Sequence, residues 1–399
     1  MIAWTQGGEA GVDSHDTSSH GSTHSSATPA TTDQNSRSSL KSVLPGHTPE
    51  CTPSDWYRNR ISWRHSKRRS PLAGRRPLTR ADLISMGTTR ASIRANYTRI
   101  EYGIYLDNDS LLPETTDTGH TRRRRIPAAM LPLAHLIRHP DRIATGFGGA
   151  SAYGMTYFVE EELLEFLSSP GSSPTRAPDH VLVRPTRHHP THLFSAETLS
   201  GDFDGLRVAS PGTTLSHMLR HIMETTSSDG RQWTAPDLTS LRPELSPEFI
   251  KCVQVSDSFH QALGKTRPGN PDALRVPGGA DALLRAKVLG STDVGAESPP
   301  ETMLRLVVSD LASGLRSQIP VFKEDGSLLT VSDLGWEEYG VHLFYDGIHH
   351  LHRSQRDHDS KVLAALQRNG GQVIRVVAED LKDPGAVIAL RERVSEALR

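Results

Sequence analysis

Asp333-Leu334-Gly335-Trp336, then Val341-His342-Leu343-Phe344-Tyr345-Asp346-Gly347, then His350, is the stretch that decides the fold. It reads as two β-strands that each bring an acidic group to one sheet edge, with a histidine just beyond. Asp333 falls within an otherwise apolar strand, where an unpaired buried carboxylate is costly. A cation or a paired base would account for it. Converging carboxylates bind hard divalent cations through oxygen, and such a cation can activate water for attack on phosphorus. Asp346-Gly347 has a plainer reading as turn chemistry. His350 sits beside His349 and His352 in a chain with 20 histidines, so a local cluster is unsurprising. As a site residue it is a candidate general base or water-orienting group.

Working outward, residues 298–313 place Met303, Leu304, Val307, Val308 and Leu311 on one helical face. Ser298-x-x-Glu301 at its start reads equally as a capping box or as a helix-start acid reaching the site. Strands are expected over 318–322, 328–336 and 341–345, with Asp325-Gly326 as a hairpin turn. A helix over 354–367, a strand over 372–378 and a helix over 386–398 complete an α-β-β-β-α-β-α order. The Pro/Gly-rich residues 264–280 mark a boundary before this unit, so a fragment from about Ala280 is expected to fold alone.

The rest of the chain has a different character. With 399 residues it has room for two or three domains. Lys and Arg number 45 against 46 Asp and Glu, a net charge of −1, so the molecule is not a polycation. Its charge is local. Arg58, Arg60, Arg64, Lys67, Arg68, Arg69, Arg75 and Arg76 form one basic block, and Arg122-Arg123-Arg124-Arg125 form a second. Trp56, Tyr57 and Trp63 lie within the first block, where aromatics and arginines together suit nucleic acid and also suit a solvated linker. Residues 1–50 are polar and nearly free of aliphatic side chains, a composition expected to be disordered. The only cysteines, Cys51 and Cys252, give no disulfide framework or zinc knuckle and fit a reducing cytoplasm. No apolar run approaches the roughly 20 residues of a membrane helix, and no secretory leader is expected at the start.

From Pro77 the pattern is helix, glycine turn, helix and strand pair. Thr79 is the first candidate N-cap, Gly87 the break, and Thr88 or Thr89 the second cap. Strands follow between Tyr97 and Leu106 with Gly103 at the tight point. That order is a winged helix-turn-helix pattern, with Arg90 and Arg94 facing outward on the second helix. A small protein-contact module has the same pattern. Residues 126–263 alternate helical and extended pieces without a catalytic constellation. Gly146-Phe147-Gly148-Gly149-Ala150-Ser151 lacks the strand and the distant acid of a dinucleotide loop and is set aside.

The C-terminal motifs resemble a large bacterial family related to the very-short-patch mismatch repair endonuclease. Those motifs are Glu297-Ser298-Pro299-Pro300-Glu301 with Arg305, Gln318-Ile319-Pro320-Val321, Asp333 with Trp336, Tyr345-Asp346-Gly347 with His350, and Val373-Ile374-Arg375-Val376. Leu78-Thr79-Arg80 to Tyr105, with Ser210-Pro211-Gly212-Thr213-Thr214-Leu215, resembles the winged-helix antitoxin domain of AbiEi-type abortive-infection systems. The pair in this order resembles a common actinobacterial architecture. The resemblance implies an α/β (α+β) chain with a winged helix over 77–125, an AbiEi-like α/β region over 126–263, a linker over 264–280 and a restriction-endonuclease-like core over 281–399. It further implies Mg2+ or Mn2+ held by Asp333 and Glu301, with Asp346 and His350 completing the catalytic set. Duplex DNA would lie against Arg90, Arg94, Arg122 and Arg123, and a protein partner would come from a defence system. Most relatives carry a glutamate where this chain has Phe344, and the mismatch repair relatives also lack a carboxylate there. Asp346 takes the place of the lysine of a PD-(D/E)xK motif. The alternative is a non-catalytic winged-helix regulator or antitoxin-like protein with a degenerate nuclease fold.

Overall fold

The computed structural model describes residues 76–113, 124–160, 162–168, 175–177, 181–185, 196–198, 203–224, 233–266, 282–323, 327–346, 364–366, 368 and 370–399. The chain is a mixed α/β protein. The expectations for residues 1–50, for the basic block up to Arg75 and for Arg122 and Arg123 fall outside the described residues, as do Gly347 and His350. Among the described residues no helix is long and apolar enough to cross a membrane.

The first unit holds β1 (Leu78–Thr79), α1 (Arg80–Ser85), α2 (Arg90–Asn96), β2 (Tyr97–Glu101) and β3 (Ile104–Asp107). Thr79 starts α1 through a reciprocal cap: its Oγ1 accepts the Asp82 amide at 3.1 Å, and Asp82 accepts the Thr79 amide at 2.8 Å. Thr89 accepts the Ser92 amide at 3.2 Å and starts α2. Gly87 between them has φ +77°, a conformation open to glycine. The three strands pair antiparallel in the order β1-β3-β2. Leu83, Ile93, Ile104 and Leu106 are buried. Each such side chain contributes about 1.5–3 kcal/mol.

The middle unit begins with the short pair β4 (Leu112–Pro113) and β5 (Arg124–Arg125), followed by α3 (Met130–Arg138). A six-stranded sheet follows, from β6 (Ile143–Thr145), β7 (Leu164–Ser168), β8 (Thr175–Ala177), β9 (Val181–Pro185), β10 (Ala196–Thr198) and β11 (Arg207–Ala209), in the order β10-β11-β6-β7-β9-β8. The glycine-rich residues form α4 (Gly146–Ala152), buried along its length. Gly149 is needed because a Cβ there would lie 3.3 Å from the Ala144 carbonyl and the Thr214 side chain. Gly149 therefore serves packing against α5 (Pro211–Glu224), while Gly148 lies against Pro132 and Leu164.

α6 (Pro247–Thr266), α7 (Ala282–Gly290) and α8 (Pro299–Val308) lead into the last unit. Its sheet runs β12 (Arg316–Phe322), β13 (Leu328–Trp336), β14 (Val341–Tyr345) and β15 (Gln372–Val376), in sequence order. The first three strands are antiparallel, and β15 is parallel to β14. A parallel neighbour needs a crossover, and residues 364–366 within that connection are helical. α9 (Pro384–Ala397) closes the unit, capped by Asp383. Gly335 permits the β13–β14 approach, since a Cβ there would fall 2.2 Å from the Val341 carbonyl.

α6 packs across the boundary read at 264–280, touching both α5 and α8. Gln254 donates to the Pro299 carbonyl at 2.9 Å, Gln261 donates to the Ala296 carbonyl at 2.9 Å, and Asp257 pairs with Arg305 at 2.8 Å. A composition shift marks the loop well enough. It does not show that the preceding helix packs against the unit that follows.

Candidate functional site

The site is assembled around the start of α8. Pro299 and Pro300 fill its first positions, where a missing N–H costs nothing. This places Glu301 in the first turn with only 8% of its surface exposed. The two readings of Ser298-x-x-Glu301 resolve into a third. Ser298 Oγ donates to Glu301 Oε1 at 2.7 Å, while Glu301 Oε2 accepts the Glu297 amide at 2.9 Å. A capping box would have Ser298 accept the Glu301 amide and Glu301 accept the Ser298 amide. The carboxylate instead gathers donors from the turn before the helix.

A further donor comes from the sheet: Gln318 Nε2 reaches Glu301 Oε2 at 3.1 Å. Gln318 lies between the pairs Ser317↔Leu334 and Ile319↔Ser332, which sets it opposite Asp333. It is 3% exposed and has φ +58°. A non-glycine residue in that region costs about 1–3 kcal/mol, and such strain gathers at functional sites. Gln318 belongs to a motif quoted from the sequence but had no role there; with Arg316 and Ser317 before it, a polar side chain at that position is no signal.

Asp333 Oδ2 accepts the Tyr345 amide at 2.7 Å, tying β13 to the end of β14. Burial, followed by the negative charge of Asp333, holds Glu301 well above the usual carboxylate range. The donors from Glu297 and Ser298 act in the opposite sense and do not overcome them. Two acids from different elements therefore share one electrostatic site. Like charges so placed are relieved by a proton or by a cation. A carboxylate offers about four lone-pair positions. Among the described residues three donors fill Glu301, which leaves one position on Oε1. Hard carboxylate oxygens with an open position fit Mg2+ or Mn2+.

Asp346 stands at the end of β14, its amide bonded to the Val376 carbonyl at 2.8 Å. Its carboxylate lies 4.0 Å from Arg375 Nη1 and is partly exposed. Phe344 is half-buried and registers with Arg375 across β14 and β15. Glu301 and Asp333 are thus brought together, Asp346 follows the neighbouring strand, and His350 falls outside the described residues. His342, on the same strand, is a packed core residue. Its Nδ1 lies 3.1 Å from Ser332 Oγ, and burial lowers its pKa.

Behind the site, Asp257, Asp293 and Arg305 form a buried charged group. Arg305 donates to Asp257 and to the Ser291 carbonyl, at 2.8 and 2.7 Å. Asp257 accepts the Asp293 amide and the Thr302 hydroxyl, both at 2.8 Å. Ser317 donates to Asp293 at 2.6 Å. Burial pushes Asp257 up to about 6 against the pull of Arg305. This group clamps α8 and β12, the elements that carry Glu301 and Gln318.

Of the four arginines expected at the DNA face, Arg90 and Arg94 are exposed on α2, one turn apart. Arg99 on β2 is exposed as well. Arg138 lies over the exposed Tyr102 ring at the β2–β3 turn, 5.3 Å from its centroid.

A second group with metal-ligating side chains is Glu101, His135 and His139, whose ligand atoms lie within 4.8 Å of one another. Arginines already serve it. Arg142 Nη1 lies 2.6 Å from His135 Nε2, and Arg138 Nη1 lies 3.4 Å from Glu101 Oε1. A guanidinium can only donate, so His135 Nε2 is the acceptor and its proton sits on Nδ1, 3.4 Å from Glu101. Burial raises Glu101, but His135 and Arg138 outweigh it and hold the carboxyl below its usual value. The group joins β2 to α3 as a satisfied polar network.

No family model matches the sequence, and no curated protein matches it.

Proposed function

We propose that this chain is a DNA-binding, metal-dependent endonuclease that hydrolyses phosphodiester bonds, acting in phage defence or DNA repair. The observation that carries the reading is the buried Glu301 beside Asp333, two acids from separate elements, with one lone pair on Glu301 Oε1 left open by its donors among the described residues. Perturbed carboxyls of this kind concentrate at functional sites. In this reading residues 281–399 are a restriction-endonuclease-like core and residues 77–125 a winged helix-turn-helix. Glu301 and Asp333 hold Mg2+ or Mn2+, which when bound supplies Lewis-acid stabilisation and a more acidic water. Asp346 and His350 orient the water and take its proton. Arg90 and Arg94, with Arg122 and Arg123, hold phosphates of duplex DNA. A protein partner from a defence system fits the same reading.

Phe344 favours a second reading. An aromatic ring stands where most of the resembling family carry a carboxylate, and Asp346 lies against Arg375. A chain so altered acts as a winged-helix regulator on a vestigial nuclease scaffold. Plasmid cleavage in Mg2+ or Mn2+, read beside duplex binding by fluorescence anisotropy, separates the two. The nuclease reading expects cleavage by the natural sequence, none by Asp333→Ala, and equal DNA affinity for both. Binding by both with cleavage by neither establishes the regulator.

A further inference from the structure

We infer that Gln318 is a positioning residue for the Glu301–Asp333 pair, fixing which lone pair of Glu301 is left to face a cation. The inference rests on the metal-site reading above and extends it to a residue that neither binds metal nor touches substrate.

Glu301 Oε2 accepts both the Glu297 amide and the Gln318 amide, at 2.9 and 3.1 Å, and so is saturated. Oε1 accepts only the Ser298 hydroxyl, at 2.7 Å, among the described residues. Gln318 is the only one of these three donors that comes from the sheet, and it stands opposite Asp333. It therefore ties the Glu301 carboxylate to the sheet that carries the second acid and occupies the second lone pair of Oε2. Glu297 and Ser298 precede α8 and hold one oxygen each, Oε2 and Oε1, from the helix side.

The backbone supports a specific role. Gln318 holds φ +58° while 3% exposed, in the middle of a seven-residue strand. Glycine would take that conformation without strain. A strained, buried, polar side chain is kept where its amide is needed. The neighbouring Ser317 hydroxyl is held by Asp293 at 2.6 Å, and Asp293 lies within the Arg305 group that also grips α8. Strand and helix are thus registered to each other from behind, and the Gln318–Glu301 hydrogen bond transmits that register to the carboxylate.

Two substitutions separate chemistry from shape. Gln318→Met keeps side-chain length and the strained backbone but removes the donor. Gln318→Gly relieves the backbone and removes the side chain. Mn2+ affinity of the full-length protein is read from the free-ion signal by electron paramagnetic resonance, with Asp333→Asn defining the site. Metal-free unfolding midpoints serve as the structural control. Both Gln318 variants are expected to bind Mn2+ about tenfold or more weaker, the usual size of an outer-shell loss. Gln318→Gly is expected to unfold no earlier than Gln318→Met. Wild-type affinity in both variants, alongside a loss in Asp333→Asn, overturns the role of Gln318 and leaves the metal site standing. Absence of an Asp333-dependent Mn2+ site in the natural sequence overturns the metal-site reading, and this inference with it.

Discussion

The arginines of α2 and the acids around α8 are both concentrations of charge, yet they carry different weights of meaning. Arg90 and Arg94 are exposed, so water solvates them and folding is indifferent to their presence. A surface charge can be there for solubility alone. Glu301 is buried, with Asp333's charge raising its pKa, and folding must work against both effects. The lesson is that buried charge demands an explanation and exposed charge only permits one. The proposed chemistry accordingly rests on the C-terminal unit, and the proposed DNA face is the dependent part.

The sharpest break would come at the acids. Asp333→Ala should lower Mg2+- or Mn2+-dependent cleavage by more than about a hundredfold, beyond the usual outer-shell loss. Duplex affinity should stay within about twofold, because phosphate contacts dominate it. Comparable cleavage by the variant would move the chemistry away from Glu301 and Asp333.

The next effect concerns how the buried charges are held. A fragment of residues 281–399 lacks Asp257 and leaves Arg305 without its partner at 2.8 Å. Breaking a buried pair costs about 3–5 kcal/mol, a large part of a domain's stability. Residues 233–399 should therefore give a cooperative urea transition at a clearly higher midpoint than residues 281–399. Equal midpoints would show that α6 is dispensable to the last unit.

The exposed side of the comparison predicts less. Arg90→Ala with Arg94→Ala should weaken duplex binding and reduce its logarithmic salt slope by about two, one per phosphate contact. An unchanged slope in anisotropy titrations would remove α2 from the DNA face. Phe344→Glu is a smaller, positive test. Restoring a carboxylate beside Asp333 should tighten Mn2+ or raise cleavage if the site is only weakened.

The smallest effect is in pH. Burial raises Asp257 from 3.8 to about 6, and burial with Asp333 raises Glu301. A raised carboxyl keeps its proton longer in the folded state, so its contribution is full below the unfolded pKa and is lost as pH rises through the folded one. For Asp257 that window runs from 3.8 to about 6. Metal-free unfolding measured across it should show Asp257→Asn with a weaker pH dependence than the natural sequence. A parallel slope would mean that Asp257 does not titrate there.

The last sheet was legible because its signals are local: strands expected over 328–336 and 341–345 are found at those bounds. The apolar helical face expected over 298–313 forms a helix over Pro299–Val308, and the turn Asp325-Gly326 lies outside the described residues. α5 starts at Pro211, because proline is at home in a first turn and Ser210-Pro211-Gly212, which reads as a turn, is also a helix start. Glu301 and Asp333 were nameable as acids in suspicious places. Their meeting was not, since it depends on how α8 lies on the sheet. Gln318 had no local signal for its backbone: nothing in Ser317-Gln318-Ile319 announces a positive φ. The Asp257–Arg305 pair spans 48 positions, and no periodicity links residues so far apart.

The central claim is that Glu301 and Asp333 form one site whose charge calls for a divalent cation. Its most direct measurement is the unfolding midpoint of the full-length protein at pH 8 as Mg2+ or Mn2+ is added. A ligand at about a hundred times its Kd stabilises the folded state by about 2.7 kcal/mol. The natural sequence should rise by several degrees and saturate, with Glu301→Gln and Asp333→Asn each losing the response. A flat midpoint in the natural sequence, or an equal rise in all three proteins, would contradict the account.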